Sequence, residues 1–344
     1  MASSRKTISP SSRNRGERAL RAVLPASAEV VAGFGDRATD LYVNGQPVEV
    51  KWIGDGNLAE VRSALELQPG RNVIMVARQM SPGARTTLSE VGVSWADETG
   101  AAEIAIGTIL VARTGVAPKT TQGLKRWTPA VLAVTEALLC GIRGTQAAME
   151  ETTELSGGSC ANALRFLQDL KLITSNAKRG PKSERRVSDL RGLLAAYSAA
   201  VNAQPAGVMV KIGVTWQDIL AGLADLGHRL DDHGASWAIT GGAGAAAIAP
   251  FMSSISQATV YVKKTTTAEL LALAESLKLR PVHGGRLTLK AFPSTATDLL
   301  ATVESEDLRV APWPRVYADL QQEGVRGEDA AEHLYEVIHE RRSP

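Results

Sequence analysis

Cysteine is nearly missing from this chain: Cys140 and Cys160 are the two present in 344 residues. Two thiols cannot build a disulfide framework or a four-thiolate zinc site, so reduced thiols in a cytoplasmic protein are expected. Histidine is scarce as well, and His228, His233, His283, His333 and His339 stand at separations of 5, 50, 50 and 6. None of these is the i, i+4 pair that places two imidazoles on one helix face, so no metal and no cofactor is expected from histidine. The opening MASSRKTISPSSRNRGER lacks the apolar core of a secretory leader, so export is not expected. Residues 234–262 lack charged side chains altogether. Gly241, Gly242, Gly244 and Pro250 interrupt them, and their Ala and Gly bury little area, so they read as a buried soluble segment with no membrane partner.

Neither sign of charge dominates, since 38 Lys and Arg face 36 Asp and Glu for a net +2. With 44% hydrophobic and 22% charged residues the chain is globular, and its length suggests two or three domains. The charge is nevertheless segregated. Residues 1–18 and 120–205 are basic, while 19–119 and 206–344 are acidic, which suits modules with separate partners. Residues 1–18 are serine-rich with few large apolar side chains, so a disordered basic tail is expected, with a phosphate-contacting arm as its functional option.

In residues 19–119 the run TDLYVNGQPVEVKWI reads as two alternating strands joined by Asn44-Gly45, a dipeptide suited to the positive φ angles of a tight hairpin. A helix (LAEVRSALEL), a buried strand (NVIMVA), a helix near TTLSEVG and a strand VSWADETG follow in α/β order. Glu49 and Lys51 share a strand face, with Asp40 close across the turn. Two carboxylates holding a divalent cation beside a lysine form an apparatus for phosphodiester hydrolysis. The D-x8-E-x-K spacing on this hairpin resembles the PD-(D/E)xK nuclease-like superfamily. The resemblance implies an α/β nuclease-like domain over 19–119, with Mg at Asp40 and Glu49 only if the module is active.

Residues 127–205 open on Thr128-Pro129, a good helix cap and first turn, and VLAVTEALLCGI carries an apolar stripe. A short helix follows, with Ala147, Ala148 and Leu155 expected to face inward. Ser156 is expected to cap a further helix in which Cys160, Ala163, Leu164, Leu167 and Leu170 share a face at i, i+3, i+4 spacing. Gly157, Gly158, Ser159, Asn162 and Arg165 then form an exposed face of small, polar and cationic residues. LITSNAKRGPKSERRVSDL reads as strand, basic loop and strand, with Lys178, Arg179, Lys182, Arg185 and Arg186 within nine residues. This order resembles the winged helix-turn-helix family. The resemblance implies that Ser156, Gly158, Ser159, Asn162 and Arg165 approach the major groove and that the wing cations neutralise phosphates. Arg165 suits guanine and Asn162 suits adenine in bidentate fashion.

After the linker NAQPAG, residues 207–344 offer an amphipathic helix, TWQDILAGLADLGHRLDDH, then ASWAITGGAGAAAIAPF and the strand ATVYVKK. A Gly-Gly after a strand that opens a small-residue helix resembles nucleotidyltransferase-like domains. The next strand, Ala258 to Lys264, has no acid to hold magnesium, so the α/β domain is read as a degenerate one without nucleotidyl transfer. Tyr317, Asp319, Leu320, Gly324, Arg326, Gly327, Ala330 and Ala331 near the end resemble the C-terminal part of AbiEi-type antitoxins of type IV toxin-antitoxin systems. That resemblance gives Tyr317, Asp319 and Arg326 a partner-binding or structural role, Asp319 and Arg326 being expected to form a buried ion pair or a partner contact.

The expectation is an α+β multidomain protein: a tail over 1–18, the nuclease-like domain over 19–119, the winged helix over 127–205 and an AbiEi-type C-terminal domain over 207–344. Its expected function is a sequence-specific transcriptional repressor that binds double-stranded operator DNA, self-associates there, has a cognate toxin as partner and is no enzyme. The alternatives are a Mg-dependent DNA nuclease using Asp40, Glu49 and Lys51, or a protein-interaction module without DNA.

Overall fold

The computed structural model of the chain describes residues 10–32, 40–67, 72–114, 127–175, 184–252, 254–304 and 307–342. It is a mixed α+β structure that divides into two compact units, Met1–Gln122 and Gly123–Pro344.

The first unit begins with helix α1 (Pro10–Val23), followed by strands β1 (Val30–Ala32), β2 (Leu41–Val43) and β3 (Gln46–Trp52). Helix α2 (Leu58–Glu66), β4 (Val73–Ala77), α3 (Pro82–Glu90), β5 (Ser94–Asp97), β6 (Ala102–Ile106) and β7 (Ile109–Arg113) complete it. The seven strands lie in sequence order; β1, β2 and β3 pair antiparallel, β3, β4 and β5 parallel, and β5, β6 and β7 antiparallel. Asn44 at φ 47° and Gly45 at φ 78° make the expected tight hairpin between β2 and β3. The alternation of β3 sends Val48 and Val50 to the face covered by α1, where Leu20 and Val23 pack. On the other face Val61 of α2 and Leu88 of α3 cover Met75 and Ala77, so β4 is buried on both sides.

The disordered tail expected over 1–18 does not hold for residues 10–18, which form the first part of α1; residues 1–9 lie outside those described. The reason is tertiary. Arg15 pairs with Glu98 and stacks on the Trp52 ring at 4.9 Å, while Gly16 lies close enough to Val50 that an added Cβ would meet it at 3.1 Å.

The second unit opens with α4 (Pro129–Leu139), α5 (Gln146–Thr153), α6 (Gly157–Asp169), the two-stranded hairpin β8 (Ile173–Ser175) and β9 (Arg185–Val187), and α7 (Leu190–Asn202). Then follow β10 (Met209–Gly213), α8 (Ile219–Asp232), β11 (Trp237–Thr240), α9 (Gly241–Ile248), β12 (Ala258–Val262) and α10 (Thr267–Ser276). The chain continues through β13 (Arg280–Pro281), β14 (Leu287–Ala291), α11 (Thr295–Leu299), β15 (Thr302–Val303), β16 (Arg309–Val310), α12 (Trp313–Leu320) and α13 (Gly324–Arg342). Its seven-stranded sheet has the order β13-β10-β14-β12-β11-β16-β15, with β12 parallel to β14 and β11 parallel to β16.

The charge-free stretch 234–262 supplies β11, α9 and β12, almost wholly buried. No helix among the described residues is long and apolar enough to cross a membrane. The small residues of α9 let α12 approach closely: a Cβ at Gly244 would stand 3.3 Å from Val316. Almost every residue of α12 is buried, and it packs on α7, α9 and α13. One core therefore runs from α4 and α7 into the sheet.

Candidate functional site

In the first unit, Asp40 extends the hairpin by one rung. Its N–H donates to the Val48 carbonyl at 3.0 Å, and its Oδ2 accepts from the Val50 N–H at 2.8 Å, replacing a strand carbonyl. Glu49 is exposed, and the Lys51 Nζ on the same face donates to the Ala64 carbonyl in α2 at 3.3 Å. Asp40 and Lys51 are thus both tied to backbone. Among the described residues no three Asp, Glu, His or Cys side chains converge to hold a metal ion.

In the second unit, Thr128 caps α4 by accepting from the Val131 N–H, with Pro129 in the first turn. Helix α5 ends on Glu154 in the left-handed region (φ 55°), and Ser156 starts α6 by accepting from the Ser159 N–H at 3.3 Å. The turn is tight: a Cβ on Gly157 would stand 2.3 Å from Glu150 Oε1 of α5. Cys160, Ala163, Leu164, Phe166 and Leu167 form the buried face of α6. Leu170 departs from expectation, being 45% exposed, because the helix ends at Asp169 and the chain turns into β8. Ala147 is also exposed, and Met149 and Thr153 fill the interior of α5 in its place.

The outward face of α6 carries Gly158, Asn162 and Arg165, all exposed, with Ser159 half-buried beside them. Arg165 Nη1 donates to Asn162 Oδ1 at 3.1 Å, so the two residues expected to read bases present their remaining donors and acceptors together. A groove of about 390 Å³ runs between this face and the start of α4, lined by Ser159, Asn162, Arg165 and Phe166 on one side and Thr128 and Ala130 on the other. In the hairpin, Arg186 is exposed and lies 3.6 Å from Glu184 Oε2, while Arg185 is half-buried with its Nε enclosed. The Arg185 backbone bridges to Gly144, which lies between α4 and α5: its N–H donates to the Gly144 carbonyl at 3.0 Å. Lys178, Arg179 and Lys182 lie outside the described residues.

No family model, curated protein or solved structure matches this chain.

Asp319 lies at the centre of a buried polar network on α12. It accepts from Thr240 Oγ1 and the Tyr261 hydroxyl, both at 2.7 Å, and from Arg315 Nη2 at 2.9 Å and Nε at 3.2 Å. Burial pushes the Asp319 carboxyl up, but Arg315, Lys290 and the two hydroxyls outweigh it, and the group lies below its ordinary range. The expected Asp319–Arg326 pair is not formed. Arg315, one helical turn before Asp319, takes that place, and Arg326 is exposed on α13. The Tyr317 hydroxyl donates to Glu332 Oε1 at 2.8 Å, which fixes α12 on α13.

The network reaches the helices of the first half of this unit. The fully buried Tyr197 of α7 donates to Glu136 Oε2 of α4 at 2.5 Å. Burial raises the Glu136 carboxyl, opposed by the Tyr197 hydrogen bond and the charge of Arg315. Ser198 of α7 donates to Gln321 beside α12 at 2.6 Å, and Arg191 of α7 pairs with Glu332 of α13.

Sequence reasoning did not pick out Glu136, Tyr197, Lys290, Arg315 or Glu323. Glu136 carried a readable signal as the one charge in the apolar helix VLAVTEALLCGI, and Arg315 carried another as the i, i+4 partner of Asp319. Lys290 and Glu323 are brought to the network only by the sheet order and the turn between α12 and α13.

Proposed function

We propose that this protein is a sequence-specific transcriptional repressor of the AbiEi antitoxin type that binds double-stranded DNA through a winged helix formed by α4 to β9. The observation that carries this reading is the backbone bridge from Gly144 to Arg185. It adds a third, one-residue strand to the β8–β9 hairpin and anchors that hairpin to the chain between the first two helices, the order of a winged helix. Helix α6 then presents Asn162 and Arg165 on an exposed face that begins at the Ser156 cap, and its amino-terminal half is free to enter the major groove. Arg186 on the hairpin is placed for a phosphate.

The order helix, three antiparallel strands, helix and parallel strand in the first unit supports reading it as a PD-(D/E)xK nuclease-like module. The hydrogen bonds that commit Asp40 and Lys51 to backbone support a companion role without catalysis. The α12–turn–α13 pair that holds Tyr317, Asp319 and Gly327 supports the antitoxin reading of the end of the chain; a Cβ on Gly327 would stand 2.3 Å from the Leu320 carbonyl oxygen. Repression would follow from occupying promoter repeats with more than one copy, and a cognate toxin is the protein partner this reading names.

Selection of the full chain against a pool of randomised duplexes tests the reading. Enrichment of a defined motif is expected, and a pool that stays random after repeated rounds would overturn it.

A further inference from the structure

A pocket of about 550 Å³ lies between the start of α9, strands β12 and β14, and the turn joining α12 to α13. The parallel register of β12 and β14 builds its floor, setting Thr259 beside Thr288 and Tyr261 beside Lys290, all four on the pocket side. Lys290 is half-buried, and among the described residues its amine has no hydrogen-bond or ion-pair partner. Its Nζ stands over the Tyr261 ring at 5.7 Å. The same ring carries the Arg315 guanidinium at 5.4 Å, and Arg315 Nε donates to the Tyr261 hydroxyl at 2.9 Å. Two cationic side chains therefore share one tyrosine, and the guanidinium cannot give up its proton.

The amine is the group that gives way. Burial and the charge of Arg315 hold the Lys290 ammonium below the usual lysine range, against the pull of Asp319. Asp319 does not pair with it, being held by Arg315, Thr240 and Tyr261. The pocket's other charged groups are committed elsewhere or lie outside. Glu323 Oε1 accepts the Gly242 N–H at 3.2 Å, and a Cβ on Gly241 would lie 2.2 Å from that oxygen. Although the Glu323 side chain is exposed along its length, its tip is enclosed there, and that burial pushes the carboxyl up to about 7. Arg326 is exposed at the rim. A desolvated lysine beside a second, fixed cation is the arrangement that makes an amine nucleophilic, and the pocket gives a small molecule access to it.

We infer that Lys290 is a nucleophilic amine that captures a small hydroxyaldehyde in this pocket as an imine. The Nζ lone pair attacks the carbonyl carbon and forms the C–N bond, giving a carbinolamine. Loss of its hydroxyl then forms the C=N bond, and the two amine hydrogens leave with the carbonyl oxygen as one water. The step needs no oxidant, reductant or further reactant. Thr259, Thr288 and Gln257 in the walls offer hydroxyl and amide groups to a ligand that carries hydroxyls, and a plain alkyl aldehyde would leave them without partners. The site is independent of the winged-helix reading.

Brief exposure of the full chain to glycolaldehyde with cyanoborohydride, which reduces an imine to a stable secondary amine, tests the site when followed by peptide mapping in a mass spectrometer. At neutral pH Lys290 is expected to be labelled at least tenfold faster than the exposed Lys211 and Lys278 of the same molecule. That lead should shrink as pH approaches the ordinary lysine value of about 10.4, where the exposed amines also become neutral. Propanal, which lacks the hydroxyl, is expected to give Lys290 a lead at least threefold smaller. Lys290→Met should lose the fast-labelled site and leave Lys211 labelling unchanged; the mapping of wild type gives its answer whether or not that variant folds. Labelling of Lys290 no faster than that of Lys211 overturns the inference, and so does a lead that stays constant through pH 10. An equal lead with propanal overturns the choice of a hydroxyaldehyde.

Discussion

Replacing Asp319 by alanine removes the acceptor of four hydrogen bonds, from Thr240, Tyr261 and two nitrogens of Arg315. Arg315, a residue 7% exposed, is left as a buried cation without its carboxylate. Removing one member of a buried ion pair costs about 3–5 kcal/mol, since the remaining charge keeps its desolvation penalty. In a unit of about 220 residues each kcal/mol lowers the melting temperature by roughly 2–4 °C, so a fall of about 6–20 °C is expected. The double variant Arg315→Met with Asp319→Leu removes both charges and should recover most of the loss. Differential scanning calorimetry of the full chain, following the transition of the Gly123–Pro344 unit, measures both. The sign with pH follows from the lowered Asp319 carboxyl. Its contribution is present above the unfolded value and disappears as pH falls through the folded one, so the cost of Asp319→Ala should shrink in acid. A single-variant cost under about 1 kcal/mol, or a double variant no more stable than the single one, would refute the reasoning.

Glu323 has the opposite sign. Its folded value of about 7 lies above the usual carboxylate range, so the folded state loses stability as pH rises from about 4.3 through 7. The melting temperature of Glu323→Gln minus that of wild type should therefore grow between pH 5 and pH 8, and a flat difference contradicts the enclosure of that carboxyl. Gly144→Val places a Cβ 2.2 Å from the Arg185 carbonyl oxygen. Strain of about 1–3 kcal/mol should displace the hairpin and lower DNA affinity at least tenfold while circular dichroism stays native; unchanged affinity removes the bridge from the account. With Asp40 and Lys51 committed to backbone, plasmid DNA incubated with the full chain and magnesium or manganese should remain intact. Cleavage that Lys51→Ala abolishes would establish the nuclease alternative.

The legible parts of the sequence were those with local causes. Asn44-Gly45 marked the hairpin, Thr128-Pro129 and Ser156 marked helix starts, and the alternation of Val48 and Val50 fixed which face of β3 is buried. Composition alone makes residues 10–18 a tail, because the contacts that order them, with Trp52 and Glu98, lie far along the chain. The ion-pair partner of Asp319 is hidden for a related reason. Arg315 and Arg326 both stand near it in sequence, and only the turn at Gly324, with φ 76°, sends Arg326 to the surface. Lys290 gave no signal of its own, since β14 reaches the pocket by pairing with β12 across an intervening helix.

The central claim is that α6 reads bases. Fluorescence anisotropy of wild type, Asn162→Ala and Arg165→Ala on the selected duplex and on a scrambled one tests it most directly. Each bidentate contact carries about 1–3 kcal/mol of discrimination, so each variant should lose roughly 5- to 150-fold on the selected duplex and much less on the scrambled one. Equal affinity of all three proteins for both duplexes would contradict it.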